Sequence, residues 1–167
     1  MPFARLGTDA RSLALGVLAL VLLTTILIGL GVIPTPLGED RAEVRIVGPD
    51  GETRTLVDAE VADTHVDRYV GLSEHDSLEA GEGMLFVHAD ESERTYVMRD
   101  MDFDIDIVFV GADGEITGIE HARAPGPGED GASLRHTGRA KWVLEVPHGY
   151  ANETGTTVGD RIEIEFR

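Results

Sequence analysis

Four aspartates alternate with other residues across Asp100-Met101-Asp102-Phe103-Asp104-Ile105-Asp106, the one run in the chain whose types and spacing suggest cation chemistry. In an extended strand the acids project from one face while Met101, Phe103 and Ile105 enter the core. Ca²⁺ takes about six to eight converging oxygens, and carboxylates two positions apart on one strand lie roughly 7 Å from each other. Counted from Asp100 as the first residue of an EF-hand loop, the sixth position is Ile105 rather than Gly and the twelfth is Gly111 rather than Glu. The row is therefore expected to be a solvent-facing strip of an acidic surface, and no metal site is assigned to it.

Other reactive residue types form no motif. His65 and His75 are ten positions apart, His136 and His148 twelve, and no two histidines stand at i, i+4. His88 and His121 could meet in space, but strand-end roles are expected for both. The chain has no Cys, so it has neither a thiol nucleophile nor disulfides. Ser73, Ser77, Ser92 and Ser133 lack a Gly-x-Ser-x-Gly elbow. Gly126-Pro127-Gly128 lacks the lysine and the strand-loop-helix context of a phosphate cradle. Asn152-Glu153-Thr154 matches the N-glycosylation acceptor pattern at the chain's single asparagine. Catalytic residues stay unassigned, and no cofactor is expected.

These residues must be positioned by a domain that follows an apolar segment. Leu13 to Ile33 are 21 residues without a charge, which at ~1.5 Å per residue spans a bilayer's hydrocarbon core. Arg5 and Arg11 precede the run, while Glu39 and Asp40 follow it before Arg41. The positive-inside rule then leaves residues 1–12 as a cytoplasmic tail, 13–33 as a transmembrane helix in contact with lipid, and the remainder outside. Secretion after cleavage of a signal peptide is the alternative, but the run is long for one and no Ala-x-Ala site follows. Residues 34–41, with Pro34 and Pro36, read as a stiff linker, and residues 42–167 as one domain.

The chain carries a net charge of −17, a surface that repels nucleic acid. Lys141 is the one lysine among fourteen basic residues, and aromatics make up 5%. That pattern is expected of a protein from a very salty setting, where the Debye length falls to about 3 Å at 1 M. Within the domain the hydrophobic period is two. A hairpin is predicted from Ala42 to Val57 around Pro49-Asp50-Gly51, with a further strand through Asp63. Thr64 is placed to cap a helix over His65–Leu72 with Val66, Tyr69, Val70 and Leu72 on one face. Further strands are predicted at 83–88, 95–98, 105–110, 115–121, 141–146 and 161–166, and a long loop at 124–138. Short strands with one or two short helices predict a mainly β fold, a sandwich or roll.

Eight blocks occur in order over residues 61–166: Val61-Ala62-Asp63-Thr64, Arg68-Tyr69-Val70-Gly71-Leu72, Gly83-Met84-Leu85-Phe86-Val87, Met98-Arg99-Asp100, Ile105-Asp106-Ile107-Val108-Phe109, Asp113-Gly114, Val143-Leu144-Glu145-Val146 and Val158-Gly159-Asp160. In this order they resemble the family called domain of unknown function 192, also catalogued as uncharacterised protein family 0127. The resemblance implies a mainly β, sandwich-type fold, often carried behind a signal or anchor, and it implies no activity. It singles out Arg99, Asp106 and Glu145 as positions where the family's charge survives, with Met98 and Asp100 beside them. The chain departs from the family at Ser73, where Met is usual, and at Val97, Asp100 and Met101 within a usual Trp-Met-Lys-Asn-Thr run. Pro147 likewise replaces an expected Asn.

The expected function is a binding or interaction module of the cell envelope, taking an envelope protein or a small ligand. Tyr69, Tyr96, Trp142 and Tyr150 are the aromatic candidates for a ligand platform. One alternative is an envelope hydrolase using Arg99, Asp106 and Glu145, which requires two carboxyls about 5–10 Å apart. Another is an assembly factor for a membrane protein.

Overall fold

The computed structural model describes residues 41–167. The predicted span, the tail before it and the linker as far as residue 40 lie outside the described residues. Among the described residues no helix is long and apolar enough to cross a membrane.

Seven strands form one mixed sheet: β1 (Arg41–Val47), β2 (Thr53–Ala62), β3 (Glu82–Val97), β4 (Ile105–Val110), β5 (Ile116–Ala122), β6 (Arg135–Pro147) and β7 (Arg161–Phe166). Their spatial order is β5-β4-β6-β3-β2-β1-β7. Two short helices accompany them, α1 (His65–Val70) and α2 (Tyr150–Thr154). Neighbouring strands run antiparallel except β2 and β3. That parallel pair needs a crossover, and the chain through α1 supplies it. The sheet curls until its outer strands meet at one end, where Ile116 N–H donates to Asp160 (2.8 Å) and Ile162 N–H to Gly114 (2.8 Å). The Asp113-Gly114 turn leading there relies on Gly114, whose φ of +84° suits glycine.

Curling gives the sheet two buried faces. Strand alternation sends Ala42, Val44 and Ile46 of β1 inward to meet Val57, Leu85, Val108, Leu144 and Ile162, the interior of the roll. The opposite face of β3, β4 and β6 carries Met84, Phe86, Ile107, Phe109 and Val143, joined by Leu72, Met98 and Met101. β4 lies under both clusters, so all six of its residues are buried, including Asp106. Gly138 lets the Phe109 ring lie against the β6 backbone, since a Cβ there would overlap the ring.

The mainly β roll with two short helices agrees with the class expected, but several elements differ in extent. The segments read at 83–88 and 95–98 are one 16-residue strand, β3, broken by a bulge in which residues 88–91 face Lys141 alone. Polar residues interrupt the apolar pattern because the chain bulges there, not because the strand ends. The helix begins at Thr64 as expected, with a reciprocal capping box to Asp67, yet it ends at Val70 and continues as a 3₁₀ turn over Gly71–Glu74. Its supposed apolar face is largely in solvent: Val66 is 68% and Tyr69 69% exposed, and only Leu72 enters the core. The long loop is shorter than predicted because Arg135 to Gly138 pair with β3. What remains is tied by Arg123 to Glu129 at 2.7 and 2.8 Å. That contact, with the Gly126 N–H, lowers the Glu129 pKa to about 2.

Candidate functional site: a cationic cavity with a buried glutamic acid

A cavity of about 400 Å³ opens on the outer face of the sheet between α1, β3 and the chain following β3. Its floor is set by β6. Strand alternation turns Leu144 and Val146 to the interior of the roll and Val143 and Glu145 to the opposite face. Glu145 lies between its cross-strand partners Met84 and Ile107. Both are apolar, and among the described residues no side-chain hydrogen bond or ion pair reaches its carboxyl. Burial raises its pKa to about 8, so the acid is protonated at neutral pH.

Apolar wall and polar rim come from different elements. Phe86 and Tyr96 of β3 stack edge to face at 5.0 Å. The Tyr96 hydroxyl is hydrogen bonded to Nε2 of His88 at 2.9 Å, and the bulge in β3 is what brings these two residues together. Burial lowers the His88 pKa to about 4, helped by the cations Arg94 and Arg68. Burial likewise raises that of Tyr96, with Glu145 adding to the shift. Both side chains are therefore neutral near pH 7.

Three arginines, Arg68, Arg94 and Arg99, line the same cavity. Arg68 donates to the carbonyls of Asp63 and Val87, fastening α1 to β3, and no carboxylate lies within ion-pair distance of it among the described residues. Arg94 pairs with Asp90 at 3.2 Å. Arg99 donates to the Tyr69 carbonyl at 2.5 Å, covers the Tyr69 ring at 4.0 Å and faces the exposed Asp100 at 3.7 Å. Glu93 is also on the rim. With Glu145 protonated the lining carries three guanidiniums against one carboxylate, Glu93, inside a chain whose net charge is −17, while Asp90 and Asp100 pair with Arg94 and Arg99 from outside it.

The structure brings Arg99, Met98 and Glu145 to this cavity and keeps Asp106 out of it. In β4 Asp106 has the parity of Val108 and Val110, so the sheet itself separates its carboxyl from Glu145. The hydrolase scheme built on Arg99, Asp106 and Glu145 lacks its second carboxylate for this reason. Asp106 is fully buried and accepts from Gly149 N–H (3.1 Å), Ala151 N–H (3.0 Å) and Nδ1 of His121 (2.7 Å), fixing the start of α2. Gly149 presents its N–H from φ +85°. The row from Asp100 to Asp106 is accordingly no solvent-facing strand. The chain becomes extended only at Ile105, Asp100 sits at φ +56° and Asp104 accepts from Ala124 N–H at 2.6 Å.

Of the aromatic candidates, Tyr69 and Tyr96 line the cavity. Tyr150 is inside the roll, hydrogen bonded to Thr55 at 2.6 Å, and Trp142 packs on the interior cluster beneath Lys141. Asn152 is exposed on α2. Arg68, Arg94 and His88 are site residues that spacing did not reveal. Two of them depend on the bulge, and Arg68 stood only within a family-like block. His88 does not meet His121, which instead lies beside His148, their rings 5.7 Å apart.

A family model, DUF192, described as an uncharacterized ACR, matches residues 46–164. The chain belongs to this family. No curated protein matches it. Solved structures that share the DUF192 chain's fold include two proteins. One is a protein of Sinorhizobium meliloti 1021 named as a candidate transcription regulator, 24% identical, with a TM-score of 0.67 over 74% of this chain and 93% of that one. The other is a protein of unknown function from Novosphingobium aromaticivorans, 28% identical, with a TM-score of 0.64 over 77% and 89%. In this DUF192 chain the family-like block ending Gly71-Leu72 forms one cavity wall and Glu145 its floor.

Proposed function

We propose that the domain is a binding module for a small organic anion, held outside the cell membrane by the N-terminal apolar segment. The observation that carries the binding reading is Glu145, a buried acid without a side-chain hydrogen bond or ion pair among the described residues, at the floor of a cavity lined by three arginines. A desolvated carboxyl without a hydrogen bond is costly for folding, and a ligand that satisfies it recovers that cost. A ligand carboxylate or phosphate at Arg68, Arg94 or Arg99 complements the rim, and an apolar body suits Phe86 and Met98. The volume falls within the range of small-molecule sites, about 300–1,000 Å³. The anchoring rests on the uncharged run at 13–33 and its flanking charges. Direct contact with nucleic acid is disfavoured by the acidic surface.

Thermal-shift screening of the full-length protein against small carboxylic and phosphoric acids tests the reading. At least one acid is expected to stabilise it saturably, and Arg94→Gln and Glu145→Leu, which remove a guanidinium and the buried polar group, to reduce that stabilisation at least tenfold in apparent affinity. If no acid stabilises the wild type, or the variants respond equally, the cavity is not the site. Protease added to intact cells is expected to digest the domain while sparing cytoplasmic markers, and a protected domain would refute the outward orientation.

A further inference from the structure

We propose that Asp106, His121 and His148 form a binding site for one divalent transition-metal ion of the zinc, cobalt, nickel or copper type, separated by the sheet from the Glu145 cavity. The three residues are 15 and 27 positions apart in sequence, and the fold assembles them. His121 of β5 is the direct cross-strand partner of Asp106 in β4, while Val146 of β6 pairs with Asp106 on the other side and His148 follows two residues later.

The surroundings of one oxygen make the argument. Oδ1 of Asp106 accepts from the Gly149 N–H at 3.1 Å and from Nδ1 of His121 at 2.7 Å. Nδ1 of His148 also lies 3.3 Å from it, without the alignment of a hydrogen bond. A carboxylate oxygen offers two lone pairs, and both are taken, so a third N–H has nothing left to donate to. A cation resolves the crowding, because each imidazole then presents its Nδ1 lone pair instead of a proton. The three donor atoms lie within 4.8 Å of one another. An ion bound at about 2.0–2.1 Å to each holds such atoms roughly 3.3 Å apart. His148 already stands at that separation from Asp106, His121 would recede from Asp106 by about half an ångström, and the two imidazoles turn about their side-chain bonds to share the ion.

The donor set indicates the class of ion. Two imidazoles with one carboxylate suit borderline transition metals, whereas Ca²⁺ and Mg²⁺ seek oxygen. The carboxylate is held in advance: its second oxygen takes the Ala151 N–H at 3.0 Å, the kind of outer contact that orients a metal ligand. Asp106 is wholly buried, while the His121 and His148 side chains are 45% and 52% exposed. Water or an added ligand can therefore fill the remaining coordination positions from the solvent side.

The test uses the full chain in detergent, carrying no added histidine tag and stripped by chelator. It is titrated with Co²⁺, and with Zn²⁺ in competition against a chromophoric chelator, in molar salt to screen the surface carboxylates. The site predicts one Co²⁺ per chain with the visible absorption of nitrogen-ligated cobalt, displaced by Zn²⁺. His121→Ala and His148→Ala should each weaken Zn²⁺ binding at least tenfold while melting as folded domains. Where alanine unfolds the chain, His→Gln at the same position serves instead. Absence of saturable binding overturns the proposal, as does binding without the cobalt bands or at wild-type affinity in either variant. In each of those cases His121 is simply a hydrogen-bond partner of Asp106.

Discussion

Glu145 makes the stability of the domain depend on pH in an unusual direction. Its folded pKa is raised from 4.5 to about 8, so between those values the native state binds the extra proton and stability falls as pH rises. At pH 7 the penalty is about 3 kcal/mol, from the conversion of roughly 1.4 kcal/mol per pKa unit. Glu145→Gln keeps the shape and cannot ionise. The stability gap between variant and wild type, measured by urea unfolding, should be small near pH 4.5 and widen steadily to pH 8. A gap independent of pH would show that the acid is not buried as described. Resemblance pointed to the residue, but its neutrality could not be inferred from sequence. The neighbours that desolvate it, Met84 and Ile107, are 61 and 38 positions away and adjoin it only through strand register. Asp106 shows the converse: one step in strand parity sends it to the other face, and the turn before Ile105 hides that parity from a reading that assumes one continuous strand.

Local devices hold the elements around the cavity. Gly131 lies under the Met98 carbonyl so closely that a Cβ would overlap it, and its own carbonyl accepts from Met98 N–H at 3.1 Å. Gly131→Ala should therefore shift the Met98–Arg99 segment, costing about 1–3 kcal/mol in denaturant unfolding and weakening ligand binding in parallel. Thr64→Ala removes one partner of the capping box and should cost about 1 kcal/mol without affecting binding, because α1 remains tied by Arg68 and Arg99. β1 and β7, with clean alternation, and β4, a short apolar run, were legible to within a residue or two. The bulged β3 was not, because four residues opposite one destroy the period on which such a reading depends. Nor was the exposed face of α1, since Val66 and Tyr69 are apolar yet sit on a helix whose main attachments are polar.

At the scale of the whole molecule, electrostatics and curvature act together. Several ion pairs join exposed partners across strands, such as Arg41 with Asp58 and Arg45 with Glu163, and contribute little each. The net charge of −17 opposes compaction. Melting temperature should therefore rise as NaCl increases from about 0.05 to 1 M, where the Debye length drops to about 3 Å. A fall would mean that the ion pairs outweigh the repulsion. The curl of the sheet has a consequence for self-assembly. Among the described residues only the end near Gly114 and Ile162 is zipped, so part of β7 keeps amides and carbonyls unpaired by them that another copy could extend into a fibril. That stretch carries Glu163 and Glu165, so two copies approaching rim to rim bring like charges together. Neutralising both as glutamine should leave the monomer folded and turn a clear solution turbid.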